Sequence, residues 1–374
     1  MNTLGNTLRL RLLDRLILLD LVPKLLMSIA LFSTLFFALG PIVSAFRLVS
    51  QGMPAWIVAQ FIGWDFAGFV SWTFPLGMMV AALLGFDRLS RDSEAVALYA
   101  GGISFPRMII PVFGLGLLVS LVGYVFNDRI SSYAHQRVAA TLEHRSDLLG
   151  ETTKPFDPPP IRKDGKLQMT LHVERGYDIQ AKMLRQVTIT VFGADGRPSQ
   201  IISADRAKSH GSGFKTWTLY GERTTDVATG ATISYDHFDS FELNRTPENM
   251  TFLQRDPETL NFHDLRRQIN ELKADGSDSS EIRNAEVGLW FKTSLPFACL
   301  IFGLVGAPLG MRPPRSAKFS GSVWALPIIL GYYVIYMSMS SLATGGGVPP
   351  ILAAWLPNII GLFVGAVLIW KASR

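Results

Sequence analysis

The sequence predicts a polytopic α-helical membrane protein with six transmembrane helices and one inserted all-β domain. Three observations carry that reading. The chain is 48% hydrophobic and only 17% charged, where soluble domains average about 25% charged residues. Apolar runs long enough to cross a bilayer fall into two triplets, one before and one after residues 127–286. The stretch between them is charged, rich in turn residues and patterned in short alternating segments. A length of 374 residues would suit about two or three soluble domains. Charge avoids the first and last thirds, however, which excludes that division and excludes disorder.

The formal net charge of +5 raises nucleic acid as a partner. Much of the basic excess outside the middle stretch lies beside apolar runs, where it sets membrane topology instead. The single cysteine, Cys299, lies in a predicted span, so neither a disulfide nor a cysteine metal site can form within one chain. The first apolar run ends in Gly40-Pro41 without a small-residue cleavage site and reads as a retained span.

Residues 1–24 interleave Arg9, Arg11, Arg15 and Lys24 with Leu12, Leu13, Leu16, Ile17, Leu18 and Leu19. This pattern predicts an amphipathic segment along the cytoplasmic surface. Span 1 follows at 25–45, since a hydrocarbon core about 30 Å thick needs about 20 helical residues. Arg47 sits where that helix leaves the far side. Span 2 covers 66–86, with Trp56, Trp64 and Trp72 near its entrance as an interfacial belt and Pro75 as a kink site. Residues 87–102 form a short connector, charged at its start, helical in propensity through Leu98 and stopped by Gly101 and Gly102. It suits a plain cytoplasmic loop. It equally suits a docking helix that transmits force to the spans at both ends. Span 3 covers 107–126 and exits through Asn127-Asp128-Arg129.

The middle domain spans 129–286 and is β-like. Met169, Leu171 and Val173 alternate with polar residues, as do Val187, Ile189 and Val191. Period two with one apolar face means half-buried antiparallel strands. These six are the candidate lining of an open groove. Asp195-Gly196 is a turn signal, and 199–207, 214–221 and 230–243 are further strands. The set fits a sandwich, a jelly roll or an open curved sheet. Pro158, Pro159 and Pro160 with Asp164-Gly165 read as an exposed connector. Residues 257–274 switch to a helical pattern, begun by Pro257, faced by Leu260, Leu265, Ile269 and Leu272, and ended by Gly276. His210, His237 and His263 are scattered, and no HExxH or GxSxG motif is present.

Span 4 covers 287–309, with Lys292 near its outer end and Pro296 and Pro308 inside it. Spans 5 and 6 cover 320–342 and 351–370. Basic residues concentrate in the segments taken as inner: Arg9, Arg11, Arg15, Lys24, Arg88, Arg91, Arg312, Arg315, Lys318, Lys371 and Arg374. The outer loops carry only Arg47. Both termini are therefore expected in the cytoplasm and the middle domain outside it. No Walker A motif is present, and Gly345-Gly346-Gly347 reads as a flexible turn. Asp65 and Arg107 lie at membrane boundaries, and the span centres are nearly free of charge, which disfavours a proton-driven transporter.

Several motifs, taken in order, resemble the lipopolysaccharide-export ABC transporter permease family, LptF/LptG, also called YjgP/YjgQ. Leu89-Ser90-Arg91-Asp92-Ser93-Glu94 with Ala100-Gly101-Gly102-Ile103-Ser104 looks like the family's coupling helix, placed at 87–102. Asn127-Asp128 matches its span 3 exit, and Lys292 to Pro296 with Gly303 to Gly310 looks like its span 4. Tyr332-Tyr333 and Trp355-Leu356-Pro357-Asn358 match spans 5 and 6. The resemblance covers nearly the whole chain.

This resemblance implies a non-catalytic permease in the inner membrane with a periplasmic β-jellyroll. The chain holds no cofactor or metal, and ATP and Mg belong to a partner ATPase dimer like LptB. A second LptF/LptG-type permease, or a second copy of this chain, completes the transporter. Lipopolysaccharide enters laterally through gates at spans 1 and 5 and leaves toward an LptC/LptA-like bridge. Glu94 is implied as the main ATPase contact, with Asp87, Arg88 and Arg91 beside it. Arg47 and Lys292 are implied as lipid headgroup contacts, guanidinium suiting bidentate phosphate binding. Two rival classes are a membrane-anchored envelope scaffold or glycolipid-binding protein, and an ion-coupled lipid transporter.

Overall fold

The computed structural model describes residues 2–50, 53–148, 160–163, 166–174, 177–178, 183–193, 195–210, 216–242, 256–274, 277–311 and 321–373. Pro158, Pro159, Asp164-Gly165, Gly276, the basic connector at 312–318 and Arg374 lie outside the described residues. The chain divides into two compact units, residues 1–138 with 287–374, and residues 139–286.

Among the described residues, six helices are long and apolar enough to cross a membrane. The first differs from expectation. Helix Asn2–Leu39 runs unbroken through Pro23, and Pro41–Ser50 continues it after Gly40. Residues 12–24 are thus part of the first candidate span, and 2–24 form no separate helix. Leu13, Ile17, Leu21 and Leu25 recur every fourth residue and are buried in one cluster with residues of spans 2, 3 and 4. Leu12, Leu16 and Leu19 stay exposed around the same helix. Apolar side chains on both sides fit a helix inside the bundle and not one lying half in water.

Span 2 is helix Ala55–Arg91. The connector after it is two pieces, where the sequence predicted one helix over 87–102. Asp87 to Arg91 complete span 2. Ser93 then adopts a left-handed φ of 58°, and a separate helix Glu94–Ala100 follows. Span 3 is helix Phe105–Val125, continued by a π-helical turn Phe126–Ser131 and helix Ser132–Leu148. Helix therefore extends well past the expected exit at Phe126. Spans 4, 5 and 6 are Ser279–Gly310, Ala325–Thr344 and Pro350–Ala372. Pro75, Pro296, Pro308 and Pro357 lie within continuous helices, as neighbouring helices and local adjustment allow in a bilayer.

Spans 2 and 4 form the centre, burying 67% and 78% of their most apolar stretch, against 17% for each of spans 1 and 5. Glycine permits their contact. A Cβ on Gly306 would lie 2.6 Å from the carbonyl oxygen of Met79, and one on Gly310 would collide with that of Leu83. The two backbones touch directly, which is how membrane helices gain dispersion energy without a hydrophobic drive.

In the second unit all seven described strands lie in one antiparallel sheet, ordered β1-β2-β4-β5-β6-β7 with β3 beside β4. The strands are β1 Ile161–Lys163, β2 Lys166–Val173, β3 Tyr177–Asp178, β4 Met183–Phe192, β5 Pro198–His210, β6 Thr216–Asp226 and β7 Thr232–Glu242. β1 occupies part of what read as a connector. Leu171 on β2 and Trp217 on β6 line one small cavity although two strands separate them. In a flat sheet they would stand about 14 Å apart, three strand spacings of about 4.8 Å. The sheet therefore curves around its apolar face, giving the jellyroll-like form. Farther on, Asn261 Oδ1 accepts the Asp264 amide at 2.8 Å and starts helix Phe262–Ala274, whose Leu265, Ile269 and Leu272 are buried.

Replacing Gly306 with alanine is expected to destabilise the bundle by about 1–3 kcal/mol, the cost of overpacking. Thermal unfolding in detergent checks this. Gly331, with nothing within 4 Å of an added Cβ, is the control, since its alanine variant should unfold like the parent. A Gly306→Ala protein that melts at or above the parent would refute the close contact.

Candidate functional site

The residues expected to couple to a partner form one ionic cluster where span 2 ends. Arg88 is its centre. Its Nε lies 2.9 Å from Asp20 Oδ1 on span 1, and its two terminal nitrogens lie 3.3 and 3.4 Å from the two carboxylate oxygens of Glu94. Asp92 Oδ2 is 3.5 Å away. Lys24 reaches the same Asp20 oxygen at 2.5 Å. Arg91 pairs with buried Asp87 at 3.1 Å. Nearby, Arg107 grips Asp14 with two hydrogen bonds of 2.7 and 3.0 Å, tying span 3 to span 1. One turn of chain thus joins span 1, span 2 and the helix Glu94–Ala100 through charge.

All four expected coupling residues lie at this end of span 2, as the pairs Arg88–Glu94 and Arg91–Asp87. Glu94 does not stand free, because Arg88 holds its carboxylate. The helix instead offers water an apolar surface, with Val96 52% and Tyr99 42% exposed. Residues three apart share a helix face, so these two form a small continuous patch. Asp14 and Asp20 were not singled out as site residues. Their only sequence signal is an acid inside an apolar, basic segment, where a charge needs a partner.

Arg47 and Lys292 occupy different settings. Arg47 is exposed in the last turn of helix Pro41–Ser50. Lys292 is half-buried, and its Nζ donates to Ser132 Oγ at 2.5 Å. Asn127 Nδ2 donates to the Lys292 carbonyl at 3.3 Å. Lys292 therefore joins span 4 to the π-helical turn of span 3, a backbone irregularity of the kind found at functional positions.

The six groove candidates are three directly opposed pairs on β2 and β4: Met169 with Val191, Leu171 with Ile189, and Val173 with Val187. The inner four are buried, and Met169 and Val191 pack against them. The cavity beneath holds about 10 Å³, room for one water at most. Between these residues the apolar face is packed, with no room for an acyl chain.

A second polar feature escaped the sequence reading as a network. Tyr332 donates its hydroxyl to Asn358 Oδ1 at 3.0 Å, and Asn358 Nδ2 donates to the Ser294 carbonyl at 2.8 Å. All three residues are buried. They bind spans 4, 5 and 6 where Tyr332-Tyr333 and Trp355-Leu356-Pro357-Asn358 had been noted as motifs.

Comparison with known proteins agrees with this arrangement. A family model described as "Lipopolysaccharide export system permease LptF/LptG" matches residues 15–371. The lipopolysaccharide export system permease protein LptG of Escherichia coli strain K12 is 22% identical over 304 residues, covering 80% of this chain and 81% of that protein. LptF of the same strain is 22% identical over 337 residues, covering 86% of this chain and 84% of that protein.

Arg88→Ala is expected to loosen the joint between spans 1 and 2 by on the order of 1 kcal/mol, because a side chain a third exposed is screened by water. The loss should shrink in high salt. Identical melting of variant and parent at low salt would show that the cluster holds nothing together.

Proposed function

The chain belongs to the LptF/LptG family of lipopolysaccharide export system permeases, and from that membership we propose that it is a membrane subunit of an ABC transporter. It takes lipopolysaccharide out of the inner membrane. The lipid then passes to its jellyroll-like domain and on to a periplasmic bridge like LptC and LptA. ATP and Mg are held by an LptB-like ATPase dimer on the cytoplasmic side, and a second permease, of the other type or another copy of this chain, completes the lateral gates. The basic residues counted along the short loops support cytoplasmic termini and a periplasmic β domain.

The observation that carries the coupling role is the charged joint around Arg88. A partner pressing on Val96 and Tyr99 would act on a helix that Arg88 already ties to spans 1 and 2. Motion of that helix is then motion of two spans. Glu94 serves either as part of this internal joint or, released from Arg88, as a contact to the ATPase. Arg47, exposed at the far end of span 1, remains the candidate for an anionic headgroup. Lys292 is better placed to hold the span 3 exit.

Copurification with the ATPase tests the joint. Val96→Asp should abolish association by setting a charge in the apolar patch. Glu94→Arg should abolish stimulated ATP hydrolysis by setting a second cation against Arg88. If both variants assemble and hydrolyse ATP like the parent, the coupling assignment is wrong. A photocrosslinking residue at Val191 is expected to capture lipopolysaccharide only when ATP is supplied. Capture without nucleotide, driven by a proton gradient, would favour an ion-coupled transporter instead.

A further inference from the structure

The apolar face of the sheet contains one acidic side chain whose position alternation does not explain. Trp217 and Leu219 of β6 point inward and are buried. Continued alternation would turn Gly221 inward and Glu222 outward. Gly221 instead has a left-handed φ of 65°, and a Cβ on it would meet Asp205, an exposed residue on the outer side, at 2.6 Å. The phase of the strand reverses there. Thr224, two residues beyond Glu222, pairs with Ile202 of the buried cluster, so Glu222 shares the face of Ile202. It is 4% exposed.

Its two oxygens differ. Thr224 Oγ1 donates to Oε1 at 2.7 Å. Oε2 is buried with no hydrogen-bond partner among the described residues. A buried carboxylate oxygen left this way costs stability, and the fold bends a strand to keep it there. Beside it lies the open edge of the same face. Tyr235 of β7 pairs with Glu222 and Ile233 pairs with Thr224, and these two are 46% and 55% exposed.

We propose that Glu222 Oε2 is a hydrogen-bond acceptor site inside the jellyroll-like groove, for a lipid that carries a hydroxyl, amide or ammonium donor on an apolar body. The class follows from the surroundings. A carboxylate accepts from donors and repels phosphate, and Ile202, Ile233 and the Tyr235 ring on the same face favour an apolar carrier. An occupant that parts the packed face from the β7 edge satisfies Oε2 as it enters. This inference rests on the reading of the domain as a lipid-receiving groove.

The test uses the full-length protein in detergent with a photocrosslinking residue at Ile233. The probes are lipopolysaccharide, whose hydroxyacyl chains bear such donors, and dioleoylphosphatidylcholine, which has none. Glu222→Leu should melt higher than the parent, because an unsatisfied buried oxygen is gone. It should give about tenfold less lipopolysaccharide adduct, the loss of one hydrogen bond to a charged acceptor, with phosphatidylcholine adduct undiminished. Glu222→Gln, which retains an acceptor of the same shape, should fall between, and it decides the matter by the same adduct yields if the leucine variant does not fold. Equal lipopolysaccharide adduct in folded parent and variants would overturn the acceptor site and leave the groove intact. No lipopolysaccharide adduct in the parent would overturn both.

Discussion

The membrane unit depends on the direct contact between the backbones of spans 2 and 4. Gly306 and Gly310 let the carbonyls of Met79 and Leu83 approach closer than any Cβ would permit. In a bilayer, lipid tails solvate leucine as well as another leucine does, so close packing must supply the attraction between helices. Spans 2 and 4 achieve it and become the rigid centre. Spans 1 and 5, largely exposed, are attached to that centre at specific places.

Those attachments are polar, and they sit where their strength is useful. At one end, Arg88 and Arg107 tie span 1 to spans 2 and 3 by charge. Within the bundle, Asn358 ties span 5 to spans 4 and 6 by two neutral hydrogen bonds. Removing one partner of the Asn358 tie leaves the other buried and unsatisfied, which makes that contact more specific than the surrounding leucines.

Much of this was legible in the sequence, for reasons particular residues make plain. The groove candidates were readable because period two survives along Met169 to Val173 and Val187 to Val191, and the structure pairs those six directly. Six spans were readable from hydropathy. The reading went wrong where one residue changes the local period or where a pattern has two causes. Leu12, Leu13, Leu16, Ile17, Leu18 and Leu19 among arginines looked like a surface helix, but basic neighbours and apolar residues also describe the end of a span, where Leu13 and Ile17 are buried. Ser93 splits the connector with a left-handed backbone that nothing in a serine announces. Glu222 lay just past the strand expected over 214–221, and Gly221 reverses the phase of the strand there. A glycine inside a strand pattern was the available signal. The contact of Lys292 with Ser132 was not legible, because helix Phe105–Val125 continues through a π turn that no sequence pattern marks.

That π turn has a geometric consequence. It accommodates one residue more than an α-helical turn would, and each residue advances a helix by about 100°. The surplus therefore sets the angular phase of everything in Ser132–Leu148 relative to span 3, including which side Ser132 and Ala134 present for burial. Shedding or gaining that single residue would rotate the following helix by more than a quarter turn while leaving its composition untouched. Phe126–Ser131 is thus a length-controlled rotary setting between span 3 and the helix that leads out of the membrane unit.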